Sequence, residues 1–97
     1  MVKITIFDAC RLLAQERGWL PETCTDGTQD VVKYSDFWQM CVLKKLTSSD
    51  RKIKELWKAF RNLGMAKLVN QHDAYIFDLS KFKTVMAIEY ETWRGPS

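Results

Sequence analysis

The sequence predicts one mainly α-helical domain, residues 1–97, with a small β-hairpin in its C-terminal third. The length of 97 residues is close to that of a typical single domain, and the 46% hydrophobic fraction can fill one core. Apolar residues recur at helical spacing in several segments, whereas two short runs beside residues 70–73 have the composition of paired strands. The expected order is helix, short strand, helix, helix, hairpin and helix.

The first predicted helix covers residues 6–17. Thr5 and Asp8 have the spacing of a capping box at its start, with Asp in place of the usual Glu. Gly18 suits a left-handed residue just after the last turn. Both ends of this helix are therefore marked by residues that satisfy its free backbone groups.

A loop and a second helix are expected next. The segment 18–30 contains a proline and several turn formers, and the β-branched run VVKY predicts a short strand at 31–34. Ser35 offers an N-cap for a helix over residues 36–46. Apolar side chains surround most of that helix, so we expect it to be buried on most sides.

The third helix, residues 50–63, has the clearest pattern in the chain. Its apolar residues follow the i, i+3, i+4, i+7 rule, and Gly64 ends it. Two strands, 66–69 and 74–77, are then joined by the polar turn NQHD. Ser80 begins a last helix with an apolar face that includes Tyr90 and Trp93. The predicted core comprises Ile6, Leu13, Phe37, Cys41, Ile53, Trp57, Phe60, Leu63, Tyr75, Phe77, Phe82 and Met86.

The net charge of +3 comes from one segment. Residues 1–46 contain six Lys or Arg and six Asp or Glu, and residues 68–97 contain three and four. Residues 47–67 contain six Lys or Arg against two Asp or Glu. Such a local excess on an otherwise balanced domain is typical of a surface that meets an anionic partner.

Four cations of the third helix lie on one side of it. With a rotation of about 100° per residue, they fall within about 80° of one another and away from the apolar residues. These residues, called the basic strip below, are Arg51, Lys54, Lys58 and Arg61. Like charges three or four residues apart destabilise an isolated helix by about 0.2–0.5 kcal/mol per pair. A partner of opposite charge would explain their clustering.

The residues needed for catalysis or metal binding are sparse. His72 is the single histidine and lies in a predicted turn, where a nucleophile–base pair would not be held in place. Cys10, Cys24 and Cys41 lack the spacing of zinc ligands, and their odd number argues against a disulfide framework. We therefore expect no enzyme activity, cofactor or metal. Because the cysteines do not suggest a disulfide framework, we expect an intracellular protein. Because no apolar run is long enough to cross a bilayer, we expect no membrane partner.

The segment 49–79 resembles the winged helix-turn-helix superfamily. The residues that carry the resemblance are IKELWKAFRNLGMAKLV and, after a turn, AYIFDL, which look like a recognition helix, a glycine stop, a strand and a wing. The resemblance implies a winged-helix fold in which the third helix enters the DNA major groove. It also places Arg51, Lys54 and Lys58 near the DNA.

Two functions remain open on these observations. In the first, the third helix binds nucleic acid, most simply duplex DNA. The basic strip then contacts phosphates, and Arg51, Lys58 or Asn62 reads base edges. The wing NQHD has no Lys or Arg, so the helix would carry the binding. In the second, the domain is a protein-docking module of a chromatin or transcription assembly without DNA contact, and Trp19 and Trp93 are candidate partner-surface residues.

Overall fold

The computed structural model describes residues 4–69 and 73–89, and in these ranges it has four α-helices and a three-stranded antiparallel sheet. The elements in chain order are α1 (Ile6–Arg17), β1 (Gln29–Lys33), α2 (Tyr34–Leu43), α3 (Asp50–Asn62), β2 (Ala66–Leu68), β3 (Ala74–Asp78) and α4 (Leu79–Met86). A short 3₁₀ turn, Ala87–Glu89, follows α4. The predicted order of elements is confirmed, and the fold is mixed α and β because β1 joins the hairpin as a third strand.

Helix α1 has the predicted bounds. The backbone N–H of Thr5 donates to the Asp8 carboxylate at 2.8 Å, while the Thr5 hydroxyl accepts from the Asp8 backbone N–H. Gly18 follows the last turn with φ 72°, a left-handed conformation that costs glycine little. The local capping signals in the sequence were therefore sufficient to locate both ends.

The predicted bounds of α2 are wrong at both ends. The helix begins at Tyr34 and not after Ser35, because the Tyr34 backbone N–H donates to the carbonyl of Asp73 at 2.7 Å and needs no side-chain cap. It ends at Leu43 because Lys45 turns into the left-handed region with φ 57°. The Leu46 N–H then closes the turn on the carbonyl of Cys41 at 2.9 Å.

The burial expected for α2 is also wrong in part. Phe37 and Cys41 are fully buried, but Leu43 is 74% exposed and Trp38 is 37% exposed. Helix α2 packs on the rest of the domain through one side only, so its outer apolar residues remain at the surface. In a domain of this size a single helix has too few neighbours to be covered all round.

Helix α3 is confirmed, with one correction to its core residues. The Ser49 hydroxyl accepts from the Lys52 backbone N–H at its start, and Gly64 follows its end with φ 81°. Leu63 was predicted in the core but is 49% exposed. It caps the end of α3 where the chain turns away at Gly64, so the helical spacing no longer determines its burial.

Helix α4 begins at Leu79, and its N-cap is Asp78 and not Ser80 as predicted. One Asp78 carboxylate oxygen accepts from the Ser80 and Lys81 backbone N–H groups at 3.1 and 3.4 Å. The Ser80 hydroxyl donates to the same oxygen, and this bond, together with the two backbone bonds, holds the pKa of Asp78 below its ordinary value. The predicted apolar positions Tyr90 and Trp93 lie outside the described residues.

The sheet has the strand order β1-β3-β2, and one of its faces is buried while the other is exposed. Val32 pairs with Tyr75, which also pairs with Leu68. Alternation along the strands buries Val32, Tyr75 and Phe77, whereas Val31 is 50% exposed on the opposite face. Helix α3 lies on the buried face, where the Trp57 ring stacks on Tyr75 with centroids 4.1 Å apart.

The predicted core is confirmed except at two residues. Ile6 is half-buried and Leu63 is exposed, whereas the other ten are buried.

The loop after α1 is held by a polar cluster at Asp30. The Arg17 guanidinium makes two bonds to the Asp30 carboxylate, at 3.0 and 2.9 Å, and a third to the Val31 carbonyl at 3.3 Å. The Trp19 indole N–H donates to the same carboxylate at 2.8 Å, and so does the Val31 backbone N–H at 2.9 Å. This cluster attaches both ends of the loop to β1.

We expect Asp30→Asn to weaken the fold in a pH-dependent way. Partial burial favours a raised pKa for Asp30, but the bonds from Arg17 and Trp19 outweigh it and lower the pKa below the ordinary 3.8. A carboxyl with a lowered folded pKa stabilises the fold above its unfolded pKa and loses that contribution as the pH falls through the folded value. The variant should therefore be about 1 kcal/mol less stable at pH 7, or about 4–8 °C lower in Tm, and the difference should shrink below about pH 4.

Thermal melts at pH 7, 5 and 3, followed by circular dichroism, measure this effect. Asp26→Asn makes the same charge change at an exposed position of the same loop and should leave Tm within about 1–2 °C of the parent. Parallel pH profiles for the parent and Asp30→Asn would contradict the role given to the Arg17–Asp30 bonds.

Candidate nucleic-acid interface

The basic strip lies on the exposed side of α3. All four of its side chains are exposed, and Arg51 is 90% exposed. The other side of the helix packs into the core through Ile53, Trp57 and Phe60. Asn62, the last residue of α3, is also exposed. The structure therefore places the five predicted nucleic-acid contacts on one accessible helix, and the core holds that helix in position.

The first half of the basic strip is paired with acidic neighbours. Arg51 Nε lies 3.4 Å from a carboxylate oxygen of Glu55, and Lys54 Nζ lies 3.8 Å from Oδ2 of Asp50. Both pairs are four residues apart on the helix and well exposed, so each stabilises α3 by only about 0.3–0.5 kcal/mol. Their main effect is to neutralise the charge at the beginning of α3.

The second half of the basic strip is not neutralised. Within residues 4–69 and 73–89, no acidic group forms an ion pair with Lys58 or Arg61. Burial raises the pKa of Tyr75 in β3, and the positive charge of Arg61 opposes that rise. The uncompensated positive charge of the strip is therefore concentrated at the end of α3 that adjoins β3.

A contact between α2 and α3 was not predicted. The Trp38 indole N–H donates to Asp50 Oδ1 at 3.0 Å, while Lys54 lies near the other carboxylate oxygen. The spacing of Asp50 and Lys54 could have been recognised in the sequence as a helical ion pair. Trp38 is one of the apolar residues of α2, which suggests packing, and its bond to Asp50, twelve residues away, has no local signal in the sequence.

One of the two aromatic residues proposed for a partner surface is buried. Trp19 is only 4% exposed, with its ring packed 5.2 Å from Phe77 and 4.9 Å from Phe82 between centroids, so the prediction of an exposed Trp19 is wrong. Its indole N–H is bound by Asp30, which lets a tryptophan in a loop be buried. Trp93 and the turn residues Asn70, Gln71 and His72 lie outside the described part of the chain.

Thiols and potential metal ligands are the other reactive groups of the described residues. Burial raises the pKa of Cys10 to about 12 and that of Cys41 to about 11, so these thiols stay protonated and unreactive near neutral pH. No three potential metal ligands come together in the described ranges. Among the same residues, no helix is long and apolar enough to cross a membrane.

Comparisons of the chain with protein-family models, with curated proteins and with solved structures found no match. Its function must therefore be argued from the side chains themselves. The basic strip, with four exposed cations and the two carboxylates paired with them, leaves this side of α3 with a net positive charge.

Proposed function

We propose that this chain is a winged-helix domain that binds duplex DNA by placing α3 in the major groove. The order of the elements and the sheet order β1-β3-β2 are consistent with this arrangement, in which β2 and β3 would form the wing. Helix α2 packs against α3, as the first helix of a helix-turn-helix does against its recognition helix.

The observation that carries the proposal is the exposed basic strip, in which Lys58 and Arg61 have no ion-pair partner among residues 4–69 and 73–89. Each phosphate neutralised by such a cation releases condensed counterions, which favours binding in a salt-dependent way. If these residues served folding alone, nothing would be gained by leaving them without an ion-pair partner in the described part of the chain, because like charges on one helix face repel.

The dimensions of α3 suit the major groove. Its 13 residues make a cylinder about 20 Å long, and a groove about 12 Å wide admits one helix. In this placement Lys58 and Arg61 contact phosphates, and Arg51 and Asn62 approach base edges. Since residues 69–73, between β2 and β3 in the sequence, contain no Lys or Arg, most of the electrostatic attraction comes from the helix.

A salt titration of duplex binding tests the proposal. Fluorescence anisotropy with a labelled random duplex should give log K falling linearly with log salt, with a slope of about −0.9 per phosphate contacted. For the double variant Lys58→Ala, Arg61→Ala, the slope should become less steep by about 1.8, because two such contacts are lost. The matched control, Lys81→Ala with Lys83→Ala on α4, removes the same charge and should keep the parental slope.

The result also separates the proposal from its rival. If the folded parent fails to bind duplex DNA even at low salt, the proposal is wrong and a protein-docking role becomes the better explanation of the fold. If the α3 and α4 double variants reduce the slope of log K against log salt by the same amount, the binding depends on net charge and not on α3. Competition by duplex RNA at equal salt tests the preference for DNA.

A further inference from the structure

We infer that Asp50 and Lys54 together read one C·G base pair, and that Trp38 is the positioning residue that holds Asp50 for this contact. The inference rests on the proposed DNA binding and names the base pair that α3 would recognise. It arises from the uneven distribution of ion pairs along the basic strip.

The two halves of the basic strip suit different tasks. Lys58 and Arg61 are free to neutralise phosphates, which supply affinity for any sequence. At the beginning of α3, acidic partners cancel the cations, so this half adds little to such non-specific attraction. Asp50 is 68% exposed there, where a carboxylate repels phosphates. A carboxylate at that place favours binding only if it accepts a hydrogen bond from a base.

The pair formed by Asp50 and Lys54 is complementary to a C·G base pair. In the major groove, cytosine presents its N4 amino donor beside the O6 and N7 acceptors of guanine. Asp50 Oδ2 and Lys54 Nζ lie 3.8 Å apart and present an acceptor beside a donor. Each side chain thus meets the group it pairs with best: carboxylate with cytosine amino, ammonium with guanine acceptors.

An A·T pair fits the same two side chains less well. Adenine offers an N6 amino donor with one acceptor, N7, beside it, whereas the guanine of a C·G pair offers Lys54 two acceptors, O6 and N7. On the other side of the A·T pair, the C5-methyl group of thymine projects into the groove next to O4. A methyl group near a carboxylate or an ammonium desolvates it without supplying a hydrogen bond. A G·C pair in the opposite orientation would bring like groups together. We therefore expect one orientation of one base pair to be selected.

Trp38 fixes the direction of the Asp50 carboxylate. Its indole N–H occupies one lone pair of Oδ1 at 3.0 Å, which leaves Oδ2 and the second lone pair of Oδ1 as acceptors. Because Trp38 belongs to α2, the carboxylate is held from a second helix and not only by its own flexible bonds. A carboxylate held in place before binding loses less entropy when it meets the base.

Selection of binding sites from a randomised duplex pool tests the inference. The parent should show one position at which C·G is preferred by about 5- to 150-fold in affinity, the range expected for one good base contact. In Asp50→Asn that preference should disappear or change to A·T, since an amide pairs best with adenine N6 and N7. Preferences at other positions of the selected site should stay as in the parent.

Two further variants make the assignment specific. Glu55→Gln removes one negative charge from α3, as Asp50→Asn does, and should keep the C·G preference. Non-specific binding should become stronger in both variants, because one repulsion of phosphate is lost. Trp38→Phe retains an aromatic ring but removes the N–H donor, so it should reduce the preference at that one position while leaving affinity for random duplex unchanged. Circular dichroism confirms that all variants are folded.

Each outcome decides the inference. An Asp50→Asn profile equal to that of the parent would overturn it while leaving DNA binding intact, and so would an Asp50-dependent preference for A·T in the parent. A parent that binds the pool without enriching any sequence would overturn it too. If the parent does not bind duplex DNA at all, the proposed function fails first and the inference falls with it.

Discussion

Replacing Trp57 with alanine should lower the free energy of unfolding by about 3–5 kcal/mol, the largest loss of stability that we expect from one substitution in α3. Trp57 is 5% exposed and stacks on Tyr75 at 4.1 Å and on Phe37 at 5.5 Å between centroids. The substitution therefore leaves a cavity where α2, α3 and β3 meet. Because a domain is stable by only about 5–15 kcal/mol, folding itself is at risk.

Urea denaturation followed by circular dichroism measures this loss. Trp38→Ala is the matched control, because it removes the same side chain from an exposed site and should cost about 1 kcal/mol, mainly through its bond to Asp50. If Trp57→Ala does not fold, the smaller change Trp57→Phe should still show a measurable loss. A Trp57→Ala protein that melts within a degree or two of the parent would disprove this description of the core.

Reversing two charges of the basic strip, Lys54→Glu with Lys58→Glu, should abolish duplex binding. The change removes the phosphate contact proposed for Lys58 and the base contact proposed for Lys54. It also adds two carboxylates beside Asp50 and Glu55, which repel phosphates on the side of α3 that would face the DNA. Both lysines are exposed, so the core under α3 is unchanged. The loss of the Lys54–Asp50 pair should cost at most about 0.5 kcal/mol of stability.

Anisotropy binding curves at low salt, together with a thermal melt, measure the two effects separately. The control Lys81→Glu with Lys83→Glu on α4 alters net charge by the same amount and should retain binding. Binding by the α3 double variant that is as tight as that of the parent would mean that the basic strip is a solvated helix face without a partner.

The parts of the fold that sequence patterns predicted are those with local causes. The ends of α1 follow from Thr5, Asp8 and Gly18, and the buried side of α3 follows from a period that any amphipathic helix shows. The predicted start of α2 was wrong because its first N–H is satisfied by Asp73, a residue far along the chain. No pattern within a window of one helix contains that information.

The candidate site was predictable to the same extent. Helical spacing placed the basic strip on one side of α3, as the exposed positions confirm. It did not reveal the division into a paired and an unpaired half, which depends on the side-chain positions of Asp50 and Glu55. Nor did it reveal that Trp19 is buried, since its bond to Asp30 joins residues eleven apart.

The polar cluster at Asp30 has a consequence for association between chains. In the β1–β3 register Val31 faces Ile76, at a position where both Val31 backbone groups point away from β3. The Arg17 guanidinium donates to the Val31 carbonyl, and the Asp30 carboxylate accepts from the Val31 N–H. Side chains of the same molecule therefore block the middle of this sheet edge. An open edge strand is a template for adding a strand from another molecule and hence for aggregation. The residues that attach the loop therefore also protect β1 from edge-to-edge pairing, which leaves β2 as the strand at which another chain could add.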